Sequence, residues 1–252
     1  MSTDPPSAGD PARPSAPGHQ PTDGVWPANT YLGLLPERAR LALLRAGVEK
    51  IFQPGSPLVR QGDHSSYLVL IEKGVVKVTS MTEEGHVSLL AIRAAGDVVG
   101  ELAAIDGAPR SATVTAAGTV RARVIHRDEF VRLFQQQPEV ALALVTVVSG
   151  KLRAASRARV DTSGYPLHIR LARTLVELAE TYGEPVQRGI DITVPLSQED
   201  LAALISSSPA GLARSLRHLR ESGLVDTSYR RLTVLDLAGL SELAALSHSA
   251  GG

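Results

Sequence analysis

Glu101, Arg110 and Ser111, gathered around Gly100 in the stretch GDVVGELAAIDGAPRSATVTA from Gly96 to Ala116, are the side chains of this sequence best suited to chemistry. A guanidinium can grip two phosphate oxygens at once, and a serine hydroxyl with nearby backbone N–H groups adds further donors. An ionised glutamate only accepts hydrogen bonds, so beside a phosphate it must serve a hydroxyl or another donor, and a ribose 2′-OH fits that role. Acid for sugar and arginine for phosphate is the chemistry of nucleotide recognition. The stretch reads as a pocket for a cyclic phosphate.

These groups need a frame, and the same stretch supplies one. Val98 and Val99 are extended and apolar, the chain turns at Gly100, and Glu101 to Asp106 reads as a short helix closed by Gly107. That puts a helix N-terminus beside the pocket, while glycine lets a ligand approach the main chain closely. Asp106-Gly107-Ala108-Pro109 is a strong turn signal that returns Arg110 and Ser111 to the helix start. A β-turn-β element carrying only a surface Arg–Glu ion pair is the structural alternative.

The matching residues Gly100, Glu101, Leu102, Arg110, Ser111 and Ala112 resemble the phosphate-binding cassette of the cyclic-nucleotide-binding domain, Gly-Glu-Leu followed by a variable turn and Arg-Ser-Ala. The resemblance implies that Arg110 and Ser111 hold the cyclic phosphate, that Glu101 takes the ribose, and that Gly100 and Leu102 contact the ligand through main chain.

Upstream, between Val48 and His126, short β-prone runs separated by Gly, Pro, Asp and Glu-Gly turns have the spacing of an all-β barrel or sandwich. Tyr31 to Ala46 suggests one or two short helices. Residues 1–29, rich in Pro, Ser, Ala, Gly and Asp, read as a disordered tail, with Trp26 either a docking anchor or packed on its own domain. Downstream of Arg127 the period turns helical: a short helix through Phe134, a break at Pro138, then a long helix from Glu139 to about Val160. Ala141, Val145, Val148, Leu152 and Ala155 alternate four and three apart, the a/d seam of a two-stranded coiled coil, with Lys151, Arg153, Arg157 and Arg159 outside it; a single amphipathic core helix would give the same stripe.

The last third reads as a winged helix-turn-helix. Leu167 to Tyr182 forms a helix stopped by Gly183 and Pro185, and Ile190 to Val194 is extended. Ser197 caps a helix through an acid at N3, Asp200, and Ser208-Pro209 opens the next, running to about Ser222 before Gly223. Leu224-Val225-Asp226 and Arg231 to Leu235 make the wing. From Ser206 to Arg231 five arginines (Arg214, Arg217, Arg220, Arg230, Arg231) stand against Glu221 and Asp226, a local excess of three positive charges suited to DNA phosphates. Ser197, Gln198, Ser207, Ser208, Arg214, Arg217, Arg230 and Arg231 are the candidate DNA contacts.

The pattern LSQEDLAALISSSPAGLARSLRHLRESGLV resembles the DNA-binding domain of the CRP/FNR regulators. Two departures touch base reading: Pro209-Ala210 stands where an Arg-Glu pair is common, and Ser206 replaces a frequent turn glycine. Pro and Ala make no bidentate base contact, which shifts readout toward Arg214, the serines and DNA shape. In that family the long helix dimerises the protein and closes over the base with two adjacent polar residues. The aligned pair here is Ala155 and Ser156, of which only Ser156 can hydrogen-bond, and Lys151 falls where a basic residue sits near the pocket.

The expected architecture is α+β: a disordered tail at 1–29, a cyclic-nucleotide-binding β-roll at 30–137, a dimerisation helix at 138–163 and a winged helix-turn-helix at 164–248. The resemblance implies a homodimeric, sequence-specific regulator whose effector is cAMP, with cGMP or another cyclic nucleotide as alternatives. Its partners are operator DNA and RNA polymerase. A ligand-independent regulator, and a nucleotide-responsive protein acting on a protein partner, are the competing readings.

Composition excludes other classes. The 252 residues carry 26 basic and 26 acidic side chains, so bulk charge announces no nucleic acid and the local excess must carry that claim. With no cysteine, thiolate zinc sites, cysteine-held iron–sulfur clusters and disulfides are out. No metal site and no required cofactor are expected. A haem sensor would need ligands such as His64 or His86, isolated histidines at turns. No nucleophile–base arrangement is evident, so no enzyme is expected. The N-terminus lacks a basic segment followed by an apolar core, and the longest apolar run, Val140 to Val148, is too short to span a bilayer, which points to the cytoplasm.

Overall fold

The computed structural model describes residues 26–85, 87–228 and 231–245. Two short helices, α1 (Tyr31–Leu34) and α2 (Glu37–Arg45), precede strands β1 (Val48–Phe52), β2 (Pro57–Val59), β3 (Tyr67–Lys73), β4 (Val75–Met81), β5 (Val87–Ala94) and β6 (Val98–Val99). Helix α3 (Glu101–Asp106) leads to β7 (Thr113–Ala116), β8 (Val120–His126), α4 (Arg127–Gln136) and the long α5 (Pro138–Gly164). After α6 (Leu167–Tyr182) come β9 (Gly183–Val186), β10 (Gly189–Ile192), α7 (Gln198–Leu204), α8 (Pro209–Glu221), β11 (Val225–Ser228), β12 (Arg231–Val234) and α9 (Leu237–Ala245).

The first eight strands form two antiparallel four-stranded sheets, ordered β1-β8-β3-β6 and β2-β7-β4-β5. Their facing sides bury Val69, Ile71, Val76, Val114, Val120 and Ala122, the β-branched and small side chains that alternation points inward. At the outer side of this roll, Leu68, Leu70, Val98 and Ile125 join α1, α2 and α4 in a second core with Tyr31 and Phe130. The Tyr31 hydroxyl donates to the Val140 carbonyl at 3.0 Å, tying the start of the domain to the long helix. Trp26 packs against this same core, so it belongs to its own domain.

Helix α5 is longer than the expected Glu139–Val160, extending from Pro138 at its first turn to Gly164. It buries Val140, Ala143, Leu144 and Val147 against the roll. This corrects part of the expected seam: Val148 packs against the roll core and Ala141 is half-buried, whereas Val145 (62% exposed), Leu152 (68% exposed) and the exposed Ala155 face outward. Leu142, 69% exposed, joins that outward stripe. The registers differ because the same apolar helix must serve two faces, its own domain and solvent.

The C-terminal strands differ from a simple two-stranded wing. They form one sheet, β11-β12-β10-β9, in which Pro185 lies on the edge strand opposite Ile190. An edge position needs no ladder hydrogen bond on its outer side and so tolerates proline. The capping box at Ser197 and Asp200 is present in full, and Ser208 caps α8 by accepting from the Gly211 N–H. Helix α9 docks on α6 through the fully buried Leu240.

The two halves share a core. Leu89, Ile92 and Ala94 at β5 and Val75 at β4 pack with Leu171, Leu175, Leu178 and Tyr182 of α6 and with the α7–α8 pair. At the rim of this junction Lys77 Nζ lies 2.6 Å from Asp200 Oδ2. Burial alone would raise the Asp200 carboxyl, but its hydrogen bonds with Lys77 and with Ser197 win and hold it below the ordinary 3.8. A depressed carboxylate pKa contributes stability that is present above 3.8 and lost as pH falls through the lower folded-state value. Lys77→Met is therefore expected to lower the melting temperature at pH 7 by about 2–4 °C, the shift that roughly 1 kcal/mol produces in a chain of this size. Melts of both proteins down a pH series should draw together as pH falls from 3.8 and coincide below the lower folded-state value. A difference that persists there would remove the ion pair as its cause.

Candidate nucleotide-binding site

The site begins with the backbone turn at Gly100. Its φ of 75° lies in the left-handed region, and a Cβ there would meet Arg110 Nη1 at 2.6 Å. Glycine is required twice over, by conformation and by the close approach of the guanidinium. The turn lets α3 start directly after β6, and Gly107 (φ 74°) ends it. The chain then returns through an Asx contact, the Ala108 N–H donating to Asp106 Oδ1 at 2.9 Å, and delivers Arg110 to the helix start as expected.

Arg110 is 3% exposed. Its Nε donates to Ser65 Oγ at 3.1 Å, Nη1 to the Gly100 carbonyl at 2.6 Å and Nη2 to the Tyr67 carbonyl at 2.5 Å, with the Tyr67 ring 4.7 Å from the guanidinium carbon. Three of five donors are used, all on neutral oxygens. Among the described residues no carboxylate lies within ion-pair distance of it. Burial pulls its pKa below the ordinary arginine value, with Tyr67, Asp63 and Glu101 pushing back. A buried guanidinium with spare donors and no ion-paired carboxylate among the described residues has the chemistry to take an anion.

Glu101 is 6% exposed, and its Oε1 accepts from Lys151 Nζ at 2.9 Å. Lys151 also donates to the Val98 carbonyl at 2.8 Å, so α5 is clamped across the mouth of the cassette. Among the described residues the other glutamate oxygen has no hydrogen bond, so it is able to accept one. Both residues, together with Gly100, Leu102, Arg110, Ser111 and Ala112, line a cavity of about 170 Å³. The structure thus brings together all the expected phosphate and ribose contacts and Lys151. It leaves out Ser156, which is exposed on α5 and lines no part of the cavity within one chain. Arg93 on β5, absent from the sequence-based candidates, lines the cavity too; its one visible signal was a charge inside an apolar strand.

In the C-terminal half Arg214 and Arg217 project from the exposed face of α8, while Leu212, Ser215, Leu216 and Leu219 bury the other face. Ser197 and Gln198 are exposed at the start of α7, Ser207 is half-buried, and Ser208 is exposed with its hydroxyl committed as a cap. Arg231, expected at a DNA backbone, is instead held by Asp191, Nε to Oδ2 at 2.8 Å, so part of its charge is already answered. The two residues are forty apart in sequence and meet only through the β10–β12 ladder. Arg230 lies outside the described residues, as do His86 and residues 1–25 of the tail. His64 is exposed, and no cluster among the described residues could hold a metal ion. No helix of the described residues is long and apolar enough to cross a membrane.

A β-roll carrying the Gly100–Ala112 cassette, a long helix and a helix-turn-helix beside a four-stranded sheet define the architecture. Comparison with known proteins agrees. Residues 49–137 match the cyclic nucleotide-binding domain family and residues 169–243 the Crp-like helix-turn-helix domain. The chain belongs to the CRP/FNR family of DNA-binding transcription regulators. It is 25% identical over 209 residues to the CRP-like cAMP-activated global transcriptional regulator of Mycobacterium tuberculosis, covering 82% of this chain and 93% of that one. It is 27% identical over 214 residues to the cyclic AMP receptor protein of Thermus thermophilus, covering 85% and 95%. Its fold matches FixK2 from Bradyrhizobium japonicum with a TM-score of 0.70 at 18% identity, over 80% of this chain and 99% of that one.

Proposed function

We propose that this protein is a cytoplasmic homodimer whose affinity for operator DNA is set by a cyclic nucleotide, with cAMP as the first effector to test. The observation that carries the effector is Arg110, buried beside a cavity with two unspent donors and no carboxylate within ion-pair distance among the described residues. The cAMP-responsive names of the relatives support the choice of first ligand. Arg110 and Ser111 hold the cyclic phosphate, Glu101 takes the ribose hydroxyl, and Gly100, Leu102 and Ala112 shape the wall. Ser156 acts on the base only across the dimer, from the partner helix. The outward stripe of Leu142, Val145, Leu152 and Ala155 is the seam between the two α5 helices, whose exposed apolar side chains gain most by pairing.

Ligand binding acts on DNA by population shift, which requires tighter nucleotide binding in the DNA-competent state. The route is short. Lys151 of the dimer helix holds Glu101 of the cassette, and β5, which contributes to the cavity wall, also buries Leu89 and Ile92 against α6 and α7. Arg214 and Arg217 on α8 meet the major groove and its flanking phosphates. The test is a calorimetric titration of the dimer with cAMP, for which micromolar or tighter binding is expected. No heat at several temperatures would make the cassette structural and leave a ligand-independent regulator.

A further inference from the structure

A chain of hydrogen bonds joins the wall of the cavity to the helix-turn-helix, and it passes through one tyrosine. Tyr182, the last residue of α6, is 5% exposed and lies in the apolar core that the two halves share. Its hydroxyl stands 3.2 Å from the Ile92 carbonyl on β5 and 3.4 Å from Asp97 Oδ2 in the turn between β5 and β6. A phenol has one proton to donate, so it faces two acceptors and can serve only one of them fully.

On the side of the roll both acceptors lead to the cassette. The Ile92 carbonyl also accepts from Arg93 Nη1 at 2.6 Å, and Arg93 lines the cavity. Asp97, 7% exposed, takes the Ala94 N–H on Oδ2 at 3.2 Å, while its carbonyl takes the Ile71 N–H at 2.9 Å. The next residue, Val98, gives its carbonyl to Lys151, which also holds Glu101. Asp97 is thereby fixed between the cavity wall and the long helix.

On the other side the Tyr182 carbonyl accepts from Thr193 Oγ1 at 2.9 Å and from the Thr193 N–H at 3.3 Å. Thr193 opens the short connection to Ser197, the cap of α7. One residue therefore holds the β5–β6 turn by its hydroxyl and the entry to the helix-turn-helix by its carbonyl. Phenylalanine would fill the same apolar space, and a hydroxyl costs free energy to bury unless it is hydrogen-bonded. A buried polar group with two alternative partners has the two discrete arrangements that coupling between distant sites requires.

We propose that Tyr182 is a positioning residue that couples the cassette to the DNA-binding half, its hydroxyl exchanging between Ile92 and Asp97 as Arg93 and Lys151 respond to ligand. This rests on the effector reading above and deepens it. The test uses full-length dimers of wild type, Tyr182→Phe, which removes the oxygen and keeps the ring, and Thr193→Val. Each is measured by DNA anisotropy with and without saturating cAMP, by calorimetry with cAMP in the absence of DNA, and by thermal melt. The ratio of DNA affinities with and without cAMP, at least tenfold in the wild type, falls to twofold or less in Tyr182→Phe and to fivefold or less in Thr193→Val. The affinity of the DNA-free variants for cAMP changes less than threefold. A folded Tyr182→Phe that keeps the wild-type ratio overturns the proposal. So does an equal loss of DNA affinity in both conditions, the signature of a merely structural role. If Tyr182→Phe unfolds, Thr193→Val decides by the same criteria. A wild type that binds cAMP with no change in DNA affinity overturns gating and this coupling together, whereas a wild type that gives no heat with cAMP overturns the effector reading itself.

Discussion

Replacing Arg110 with alanine is expected to weaken cyclic-nucleotide binding about 100-fold, or about 2.8 kcal/mol at 1.4 kcal/mol per decade. The size follows from what the guanidinium does in the free protein. It is already desolvated and oriented by Ser65, Gly100, Tyr67 and the Tyr67 ring, so little ordering cost remains when the phosphate arrives. Charge-assisted bidentate bonds to an anion then form in a buried setting, where they are strongest. Arg110→Lys keeps the charge and loses the fork, and at least a tenfold loss is expected for it as well. Calorimetric titration of each variant with cAMP, alongside a thermal melt to separate binding from folding, measures both. Retention of wild-type affinity by a folded Arg110→Ala would move the anion elsewhere.

The second large effect is expected at the dimer helix. Leu152 is 68% exposed on α5, one helical face from the residues that pack on the roll. Leu152→Asp puts two like charges at one level of the seam without touching the core of either subunit. The dimer dissociation constant should rise at least 100-fold by sedimentation equilibrium, since each unpaired carboxylate would have to be desolvated. DNA affinity should fall with it, because a single recognition helix contacts one half-site. Arg153→Asp, at the neighbouring exposed position outside the stripe, should leave the dimer intact. Dissociation by both variants alike would show net charge, not the seam, to be responsible.

The residues themselves explain which features were legible in the sequence. Gly100, Glu101, Arg110 and Ser111 are close in the chain, and a glycine turn, a short helix and an Asp-Gly turn suffice to bring them together, so the pocket could be read from spacing. The caps at Ser197 and Ser208 are equally local, and they appear where the side chains call for them. What escaped depends on partners far away in sequence. Helix α9 is nine residues with a glycine at 239, and it is stabilised by docking Leu240 on α6. Strand β9 contains Pro185, a breaker by itself, and exists because β10 offers an edge that needs no outer hydrogen bond.

Arg93 and the helix seam show a further limit. Strand β5 has both faces covered, Leu89 and Ile92 against the helices and Ala91 and Arg93 at the cavity, so period-two alternation could not say which face was the site. On α5 an apolar stripe wide enough to serve both the roll and a partner blurs the register, and packing alone separates Val147 and Val148 from Val145 and Leu152. The Arg231–Asp191 pair likewise joins two segments that only the β10–β12 ladder makes neighbours.

Occupancy of the cassette is expected to change DNA affinity. The direct measurement is fluorescence anisotropy of a genomic fragment recovered by selection with the nucleotide-loaded dimer, titrated at fixed salt with and without saturating cyclic nucleotide. DNA affinity at least tenfold higher with nucleotide, and unresponsive to it in Arg110→Ala, is the predicted result. Equal affinity in both conditions, for a wild type that demonstrably binds nucleotide, would contradict it.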